Sequence, residues 1–290
     1  MRALEVVRPG PLALVQDLGR PGYAHLGVPP SGALDVPALR LANRLVGNDE
    51  DAAGVECLFG GLELRATTSC TIAVTGPAVE VEVDGRAVGS HAPVWLAAGQ
   101  ALAIGAPATG LRCYLAVSGG IAIDAELGSR SRDVLSGIGP APLKTGDVLP
   151  LGTPSPLGGA DVVLPTVAPA SLVVPIDPGP RAHWFEDLAA GLAKTWRVTA
   201  ESNRVGLRLD GPALTREGEH AGRELPSEGL LTGAVQVPPN GLPVVFLADH
   251  PTTGGYPVAA VVRRASLPAL AQARPGTLLR FHSSTRVWNR

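Results

Sequence analysis

Short runs of alternating apolar and polar residues, each ended by a turn signal, limit what this chain can fold into more than any other feature. In VEVEVDGRAV, Val79, Val81 and Val83 lie on one side, acidic residues lie on the other, and an Asp84-Gly85 pair follows. A period of two is the side-chain repeat of a β-strand, and Asp-Gly is a preferred hairpin turn. The same alternation runs through CTIAVTG, LRCYLAVSGG and the segment 204–209. Many short strands with turns between them are typical of β-barrels and β-sandwiches, so we expect a mainly β protein.

Three segments depart from this pattern and predict short helices. In DVPALRLANRLVGN, residues 35–48, Asp35 suits the N-cap, Pro37 the first turn and Gly47 the C-terminal stop. AHWFEDLAAGLAK, residues 182–194, and ASLPALAQA, residues 265–273, are the other two candidates. With 36 glycines and 28 prolines among 290 residues, the rest of the chain is expected to consist of strands, turns and loops.

Composition excludes several classes of protein. The formal net charge is −2, so no general basic field attracts nucleic acid or an anionic membrane. No run approaches the roughly 18 apolar residues of a membrane helix, and the N-terminal segment lacks the continuous apolar stretch of a signal peptide. The three cysteines lack metal-ligand spacing, and an odd number of thiols favours a reducing compartment. We therefore expect a cytoplasmic protein that binds neither nucleic acid nor membrane.

Several catalytic and cofactor motifs are missing from the sequence. A P-loop needs a glycine before its Lys-Thr pair, and neither Lys144-Thr145 nor Lys194-Thr195 has one. There is no G-x-S-x-G and no H-E-x-x-H motif, and the six histidines are scattered, so we predict no metal site. A biotinyl lysine usually lies between methionines. The only methionine is Met1, so we predict no attached biotin.

The segment QDLGRPGYAHLGVPPSGALD, residues 16–35, combines four glycines and three prolines with many polar side chains. Arg20 either clamps a carboxylate or phosphate with its forked guanidinium or pairs with Asp17 to stabilise the loop. Ser31 leads into the first predicted helix, whose N-terminal N–H groups attract anions. Asp35 opposes an anion there and is expected to cap the helix. We interpret the segment as a rigid loop that positions a site mouth or a partner surface.

Eight segments together resemble one family, which includes the C-type component of 5-oxoprolinase, the second component of allophanate hydrolase and the biotin-dependent carboxyltransferases. The similarity runs from about residue 4 to about residue 282. The segments are QDLGRPGYAHLGVPPSGALD, NRLVGN, VECLFGGLEL, YLAVSGGI, LGSRSRD, SNRVGLRLDGP, LPSEGLLTGAVQVPPNGLPVVFLADHPTTGGYPVAAVV and LAQARPGTLLRF.

The resemblance implies two cyclophilin-like β-barrel domains, in agreement with the alternating strands. The stretch 152–169 is rich in Pro, Gly and Thr and is the expected boundary, although DVVL within it reads as a short strand. We therefore predict an N-terminal barrel over residues 1–160 and a C-terminal barrel over residues 161–290.

The resemblance also implies a partner, a B-type protein, with which C-type chains form a heteromer. In the 5-oxoprolinase setting, the B-type and C-type proteins use ATP, with Mg²⁺, to activate 5-oxoproline before an A-type protein completes ring opening. That hydrolase role is our leading expectation, with the nucleotide shared with the B-type partner. One alternative is carboxyl transfer to urea or a related amide with biotin-carrying partners. The other is a non-enzymatic protein that antagonises an inhibitor of a histidine kinase.

Two arginines in GSRSRD are candidates for anion binding in the first half. Arg130 and Arg132 are two residues apart and share a face if the segment is extended. With the family context, we expect one of them to bind substrate or ATP. The alternative is that one pairs with Asp133.

The second half carries the remaining candidates. Asn203 and Arg204 precede a predicted strand. They are expected either to lie at a barrel mouth, as part of a site, or to form structural pairs. Glu228 is predicted to orient an amide nitrogen or act as a base, and Gln236 to bind an amide unless it faces solvent. A loop with two glycines and flanking hydroxyls is predicted to contact the substrate or ATP. The alternative is that this loop is only a tight connection between strands. Its residues are Thr253, Gly254, Gly255 and Tyr256.

One segment departs from the family pattern. ADHPTTGGYP has His250-Pro251 where Arg-Gln is expected in many members. Losing an arginine there removes a forked anion donor, so no role is assigned to position 250.

Overall fold

The computed structural model describes residues 2–156 and 167–283. Contacts within the chain divide it into two compact units. The first comprises residues 1–20 and 31–168, and the second comprises residues 21–30 and 169–290. The predicted boundary at residues 160 and 161, and the strand predicted for DVVL, lie outside the described residues.

The first unit is built from antiparallel strands in two sheets. One sheet has the order β11-β1-β4-β9-β6-β7 and the other has the order β2-β3-β10-β5-β8. The strands are β1 (Ala3–Arg8), β2 (Leu12–Gln16), β3 (Gly54–Leu58), β4 (Leu62–Ala66), β5 (Cys70–Thr75), β6 (Val81–Val83), β7 (Arg86–Val88), β8 (Val94–Leu96), β9 (Ala101–Ile104), β10 (Arg112–Val117) and β11 (Val148–Pro150).

The buried core of this unit is formed by the apolar residues that alternate along its strands. Side chains from both sheets form one buried apolar cluster, which includes Ile72 of β5, Val81 of β6 and Leu115 of β10. The predicted turn between β6 and β7 is present, since Asp84 and Gly85 have φ of 48° and 75°. Positive φ at both positions matches the twist of a two-residue hairpin.

The first predicted helix is confirmed as α1, Val36–Leu45. Asp35 is its N-cap and accepts a hydrogen bond from the Ala38 N–H at 3.2 Å. Gly47 follows with a φ of 76°, the left-handed conformation that ends helices. The sequence therefore placed this helix through its caps.

The second unit contains a closed barrel with strand order β12-β19-β16-β17-β14-β13-β20. Its first and last strands, β12 and β20, pair in parallel from Ser171 with Leu278 to Ile176 with Ser283. A two-stranded ribbon pairs β15 with β18. The strands are β12 (Ser171–Pro178), β13 (Trp196–Val198), β14 (Gly206–Asp210), β15 (Glu228–Gly229), β16 (Ala234–Gln236), β17 (Val244–Phe246), β18 (Thr253–Gly254), β19 (Val258–Val262) and β20 (Leu278–Ser283).

The other two predicted helices are present but shorter than expected. Residues 182–194 form a 3₁₀ turn, Ala182–Trp184, and then α2, Leu188–Ala193. The break occurs because Phe185 is extended and Asp187 has a φ of 36°. Residues 264–271 form a 3₁₀ turn, Arg264–Ser266, followed by α3, Leu267–Ala271. Two further 3₁₀ turns are Ala24–Leu26 and Gly218–His220.

The prediction of a mainly β protein with few short helices is confirmed by this architecture. The longest described helix has ten residues, and within the described ranges no helix meets the length and hydropathy of a membrane span.

Candidate functional site

Asp17 is the centre of a buried hydrogen-bond cluster in the first unit. Its Oδ1 accepts from the Ser129 hydroxyl at 2.6 Å and from the Ser131 hydroxyl at 2.5 Å. Its Oδ2 accepts from the Arg130 N–H at 2.6 Å. The carboxylate thus fastens the end of β2 to the SRSR segment, residues 129–132, which lies 113 residues away at Arg130. The cluster therefore fixes the end of β2 and the first residues of the glycine-rich loop.

Arg20 lies against this cluster without pairing with Asp17. Its side chain is 1% exposed. The guanidinium donates to the main-chain carbonyls of Glu126 and Ser131. Its Nη1 is buried and has no hydrogen-bond partner among the residues that the structure describes. A buried guanidinium nitrogen without an acceptor is costly, and an anionic ligand is one group that would satisfy it.

The two arginines of the SRSR segment occupy different surroundings. Arg130 donates from Nε to the Ile123 carbonyl at 2.6 Å. Arg132 donates from Nη1 to the Gly137 and Gly139 carbonyls, while its Nε is buried without a partner. Neither pairs with Asp133, whose carboxylate binds the N–H groups of its own turn and the Ser136 hydroxyl. The ion pair of Arg130 or Arg132 with Asp133, which the sequence offered as an alternative, is therefore not observed among the described residues.

The start of α1 is filled by polar groups of the protein itself. Ser31 donates to the Arg132 carbonyl at 3.1 Å, and the Leu34 N–H donates to the buried Glu56 carboxylate at 3.1 Å. Glu56 also accepts from the Tyr114 hydroxyl at 2.7 Å, and that hydroxyl accepts from the Asp35 N–H at 2.7 Å. Burial and the nearby Glu56 charge raise the pKa of Tyr114 well above its usual value. An internal carboxylate thus already occupies the position at which the sequence suggested an external anion.

In the second unit, the structure brings Glu228, Gln236 and the 253–256 segment together. Glu228 pairs with Gly254 across the β15–β18 ribbon. The Glu228 carboxylate forms a two-pronged ion pair with Arg181, in which Nε donates to Oε2 at 3.2 Å and Nη2 donates to Oε1. The hydrogen bonds from Arg181 hold the pKa of Glu228 below its usual value. Glu228 is therefore ionised at neutral pH and can only accept hydrogen bonds or a proton.

Gln236 does not face solvent. It is 5% exposed at the end of β16, and its Nε2 donates to the Tyr256 carbonyl at 3.0 Å. Its Oε1 accepts no hydrogen bond from the described residues. A Cβ added at Gly254 would lie 2.8 Å from Gln236 Nε2, so the absence of a side chain lets the ribbon pass directly over this amide. The fixed amide keeps an acceptor available for an amide N–H.

A cavity of about 800 Å³ lies next to this group. Gly255 and Tyr256 line it, together with Leu214, Arg216, Arg223 and Asn240. The arginines of this wall lie close to Trp184, and so does Arg181, with guanidinium carbons 5.4 to 6.0 Å from the ring centre. Trp184 and these three arginines were not predicted from the sequence. The signal available was the run REGEHAGRE, residues 216–224, which carries two arginines within one short loop.

Asn203 and Arg204 lie in a different part of the second unit and have structural partners. Asn203 Oδ1 accepts from the Val205 and Gly206 N–H groups at 2.9 and 3.3 Å. Arg204 is buried and pairs with Asp249. His250, at the position that departs from the family pattern, is 3% exposed and its Nδ1 lies 2.7 Å from the Pro251 carbonyl oxygen. Arg204 and Asp249 are thus buried structural partners, whereas Asn203 is exposed and caps its own turn.

The described ranges bring together no group of three or more His, Cys, Asp or Glu side chains suited to a metal ion. The three cysteines are buried free thiols. Cys57 and Cys113 lie opposite each other on β3 and β10.

Comparison with known proteins identifies the class of this fold. Residues 26–283 match the family described as "Carboxyltransferase domain, subdomain A and B". The chain therefore belongs to this carboxyltransferase family, as the sequence motifs predicted.

The chain is similar to a 5-oxoprolinase component and to two urea amidolyases. The chain is 39% identical to the C-type component of 5-oxoprolinase from Escherichia coli (strain K12) over 283 residues, which cover 96% of this chain and 90% of that relative. It is 34% identical to the urea amidolyase of Lachancea kluyveri, over 96% of this chain but only 17% of that protein. The crystal structure of the K. lactis urea amidolyase superposes with a TM-score of 0.89 and 32% identity, over 98% of this chain and 19% of that one.

Proposed function

We propose that this chain is the C-type component of an ATP-dependent 5-oxoprolinase, which acts with A-type and B-type proteins. The reaction consumes 5-oxoproline, ATP and water and yields glutamate, ADP and phosphate. The 39% identity across 90% of the length of the Escherichia coli 5-oxoprolinase component supports this assignment.

The arrangement of Gln236 is the structural observation that carries the proposal. 5-Oxoproline is a lactam, with one N–H donor and one carbonyl acceptor on the ring. Gln236 is held at Nε2 by the Tyr256 carbonyl and leaves Oε1 able to accept the lactam N–H. A site built to pair with an amide N–H discriminates strongly against ligands that lack it.

Glu228 has a matching role in this proposal. Because Arg181 keeps it ionised, Glu228 orients an N–H group or accepts a proton from water during ring opening. Opening the ring breaks the C–N bond, adds the oxygen of water to the carbonyl carbon and leaves the nitrogen as the glutamate amine. In the overall reaction, a second water is the final acceptor of the terminal phosphoryl group of ATP, so ADP and phosphate are released.

The first unit has its own candidates for binding an anion, Arg20 and Arg130, and among the described residues Arg20 Nη1 is a buried donor without an acceptor. The described residues offer no acidic cluster for Mg²⁺. We therefore assign the metal contacts to the nucleotide phosphates and to the B-type partner.

A second candidate function is carboxyl transfer to urea. The urea amidolyase similarity over 96% of this chain favours it, and the Gln236 amide would equally pair with a urea N–H. In that case biotin-carrying partners are required, and this chain consumes neither ATP nor 5-oxoproline.

Reconstitution separates the two functions. The chain is co-expressed with the B-type protein and is expected to elute with it as one species in size exclusion. Adding the A-type protein is expected to give glutamate and ADP from 5-oxoproline and ATP. Separate elution at micromolar concentration contradicts the heteromer. An inactive trio, together with urea carboxylation in the presence of biotin proteins, assigns the chain to the second function.

A further inference from the structure

Two arginines, Arg216 and Arg223, lie in the wall of the cavity in the second unit. Arg181, Arg216 and Arg223 all surround the Trp184 ring, with guanidinium carbons 5.7, 6.0 and 5.4 Å from its centre. Arg181 is paired with Glu228. Within the described part of the chain, Arg216 and Arg223 have no carboxylate within ion-pair distance.

The Arg216 guanidinium is held by the main chain of its own loop. Arg216 donates to the Arg223 carbonyl at 3.1 Å. Trp184 is 2% exposed and stacks on His220, with ring centres 4.6 Å apart and an interplanar angle of 8°. A buried indole provides a fixed platform for arginine side chains through cation–π attraction. Two like charges on one platform repel each other unless an anion lies between them.

The cavity's size and lining select the kind of anion. About 800 Å³ is far more than a small lactam or urea occupies, and it is in the range of sites for larger cofactors. Tyr256 and Leu214 supply aromatic and apolar surface, and Asn240 supplies donors and an acceptor. Two adjacent guanidinium forks suit the several oxygens of a phosphate chain better than a single carboxylate.

We propose that this cavity binds the polyphosphate of a nucleoside triphosphate, with Arg216 and Arg223 on the phosphates and Tyr256 beside the base. The inference rests on the proposed function, because it places the ATP contacts of the 5-oxoprolinase reaction on this chain. Glu224 also lines the cavity and opposes the phosphates. The site therefore has two attractive charges and one repulsive charge that can be varied separately.

Calorimetric titration of the full-length chain tests this assignment, with ATP, tripolyphosphate, inorganic phosphate and 5-oxoproline as separate probes. ATP and tripolyphosphate are expected to bind saturably and more tightly than inorganic phosphate. Arg216→Ala and Arg223→Ala are each expected to weaken both by about tenfold or more, since each removes a charged hydrogen bond. Glu224→Gln is expected to strengthen both.

Arg197→Ala is the matched control, because Arg197 is exposed on β13 of the same unit and its loss changes the net charge equally. It is expected to bind ATP like the wild type. Arg216→Lys and Arg223→Lys keep the charge and serve if an alanine variant does not fold. Wild-type affinity in the folded arginine variants overturns the site. The site is also overturned if ATP shows no saturable binding at millimolar concentration, or if 5-oxoproline binds and neither ATP nor tripolyphosphate does.

The outcomes separate this site from the proposed function. If the A-type, B-type and C-type proteins turn over 5-oxoproline but the arginine variants leave the KM for ATP unchanged, the function stands and the site is wrong. If the trio is inactive while tripolyphosphate still binds in an Arg216-dependent manner, the site stands and the 5-oxoprolinase function is wrong.

Discussion

Arg204 and Asp249 form a two-pronged ion pair in the interior of the second unit. Arg204 Nε donates to Oδ2 at 2.8 Å and Nη2 donates to Oδ1 at 3.1 Å. The side chains are 3% and 0% exposed. The main chains are joined as well, since the Asp249 N–H donates to the Arg204 carbonyl at 3.2 Å. The pair therefore links the segment before β14 to the segment before the 253–256 loop.

Breaking this pair is expected to destabilise the protein strongly. Arg204→Ala removes the guanidinium that faces the buried Asp249 carboxylate, and breaking a buried pair costs about 3–5 kcal/mol in typical cases. Urea unfolding followed by circular dichroism measures the loss. Arg263→Ala is the control, because the Arg263–Asp177 pair is solvent-exposed, and we expect only a small change in its midpoint. Equal midpoints for the two variants would show that the buried pair is not a structural link.

The Glu228–Arg181 pair predicts a pH-dependent contribution to stability. The pKa of Glu228 is lowered in the folded state by the Arg181 hydrogen bonds, so the pair stabilises the fold above the unfolded pKa of about 4.3. This contribution is lost as the pH falls from that value through the folded pKa. The difference in unfolding free energy between wild type and Glu228→Gln should therefore shrink below about pH 4.3.

Arg181→Met provides the control for this pH dependence. In an Arg181→Met background, Glu228→Gln is expected to add no such pH-dependent difference. A difference that persists in that background would assign the pH dependence to another partner of Glu228.

Gly254 predicts a test of the Gln236 site. In Gly254→Ala, the new Cβ would lie 2.8 Å from Gln236 Nε2 and 2.8 Å from a methyl of Leu230, so the amide must move. We expect kcat/KM for 5-oxoproline to fall, with a stability loss of about 1–3 kcal/mol from overpacking. Gly229→Ala is the matched control on the facing strand, because a Cβ there meets nothing within 4 Å. Equal activity in both variants would remove Gln236 from the site.

Arg20 predicts coupled effects on activity and stability. If Nη1 binds an anion that the reaction requires, Arg20→Ala removes at least about 2 kcal/mol of binding, or about thirtyfold in kcat/KM. It also removes the hydrogen bonds to the Glu126 and Ser131 carbonyls, so the unfolding midpoint should fall. Arg20→Lys keeps the charge but not the fork and should rescue stability more than activity. Arg130→Ala is the parallel test, and wild-type activity in both alanine variants would exclude both residues from the site.

Local features of the fold could be predicted from the sequence. The Asp84-Gly85 turn, the Asp35 cap and the Gly47 stop each depend on residues within a few positions, and each is present. The predicted helix over 182–194 was too long because the left-handed Asp187 has no sequence signature. Propensity is a weak guide when a single backbone conformation interrupts a helix.

The partners of the site residues could not be predicted in this way. Arg204 was expected either at a barrel mouth or in structural pairing, and its carboxylate partner, Asp249, lies 45 residues away in the sequence. Arg181 forms an ion pair with Glu228, which lies 47 residues away in the sequence. Three arginines lie against the Trp184 ring, and no sequence motif links all three to it. Such contacts depend on which strands the barrel places side by side, and that information is not local.

The parallel seam between β12 and β20 has a consequence for how the second unit is made. The first strand of the barrel, β12, cannot complete its pairing until the last strand, β20, is available, since Ser171 pairs with Leu278. β13 also depends on β20, through pairing of Trp196 with Leu279. Contacts so distant in sequence form slowly. During synthesis, the edges of β12 and β13 that pair with β20 therefore stay open until residues 278–283 have left the ribosome. An unpaired strand edge is a template for pairing with another chain, so this interval carries a risk of aggregation.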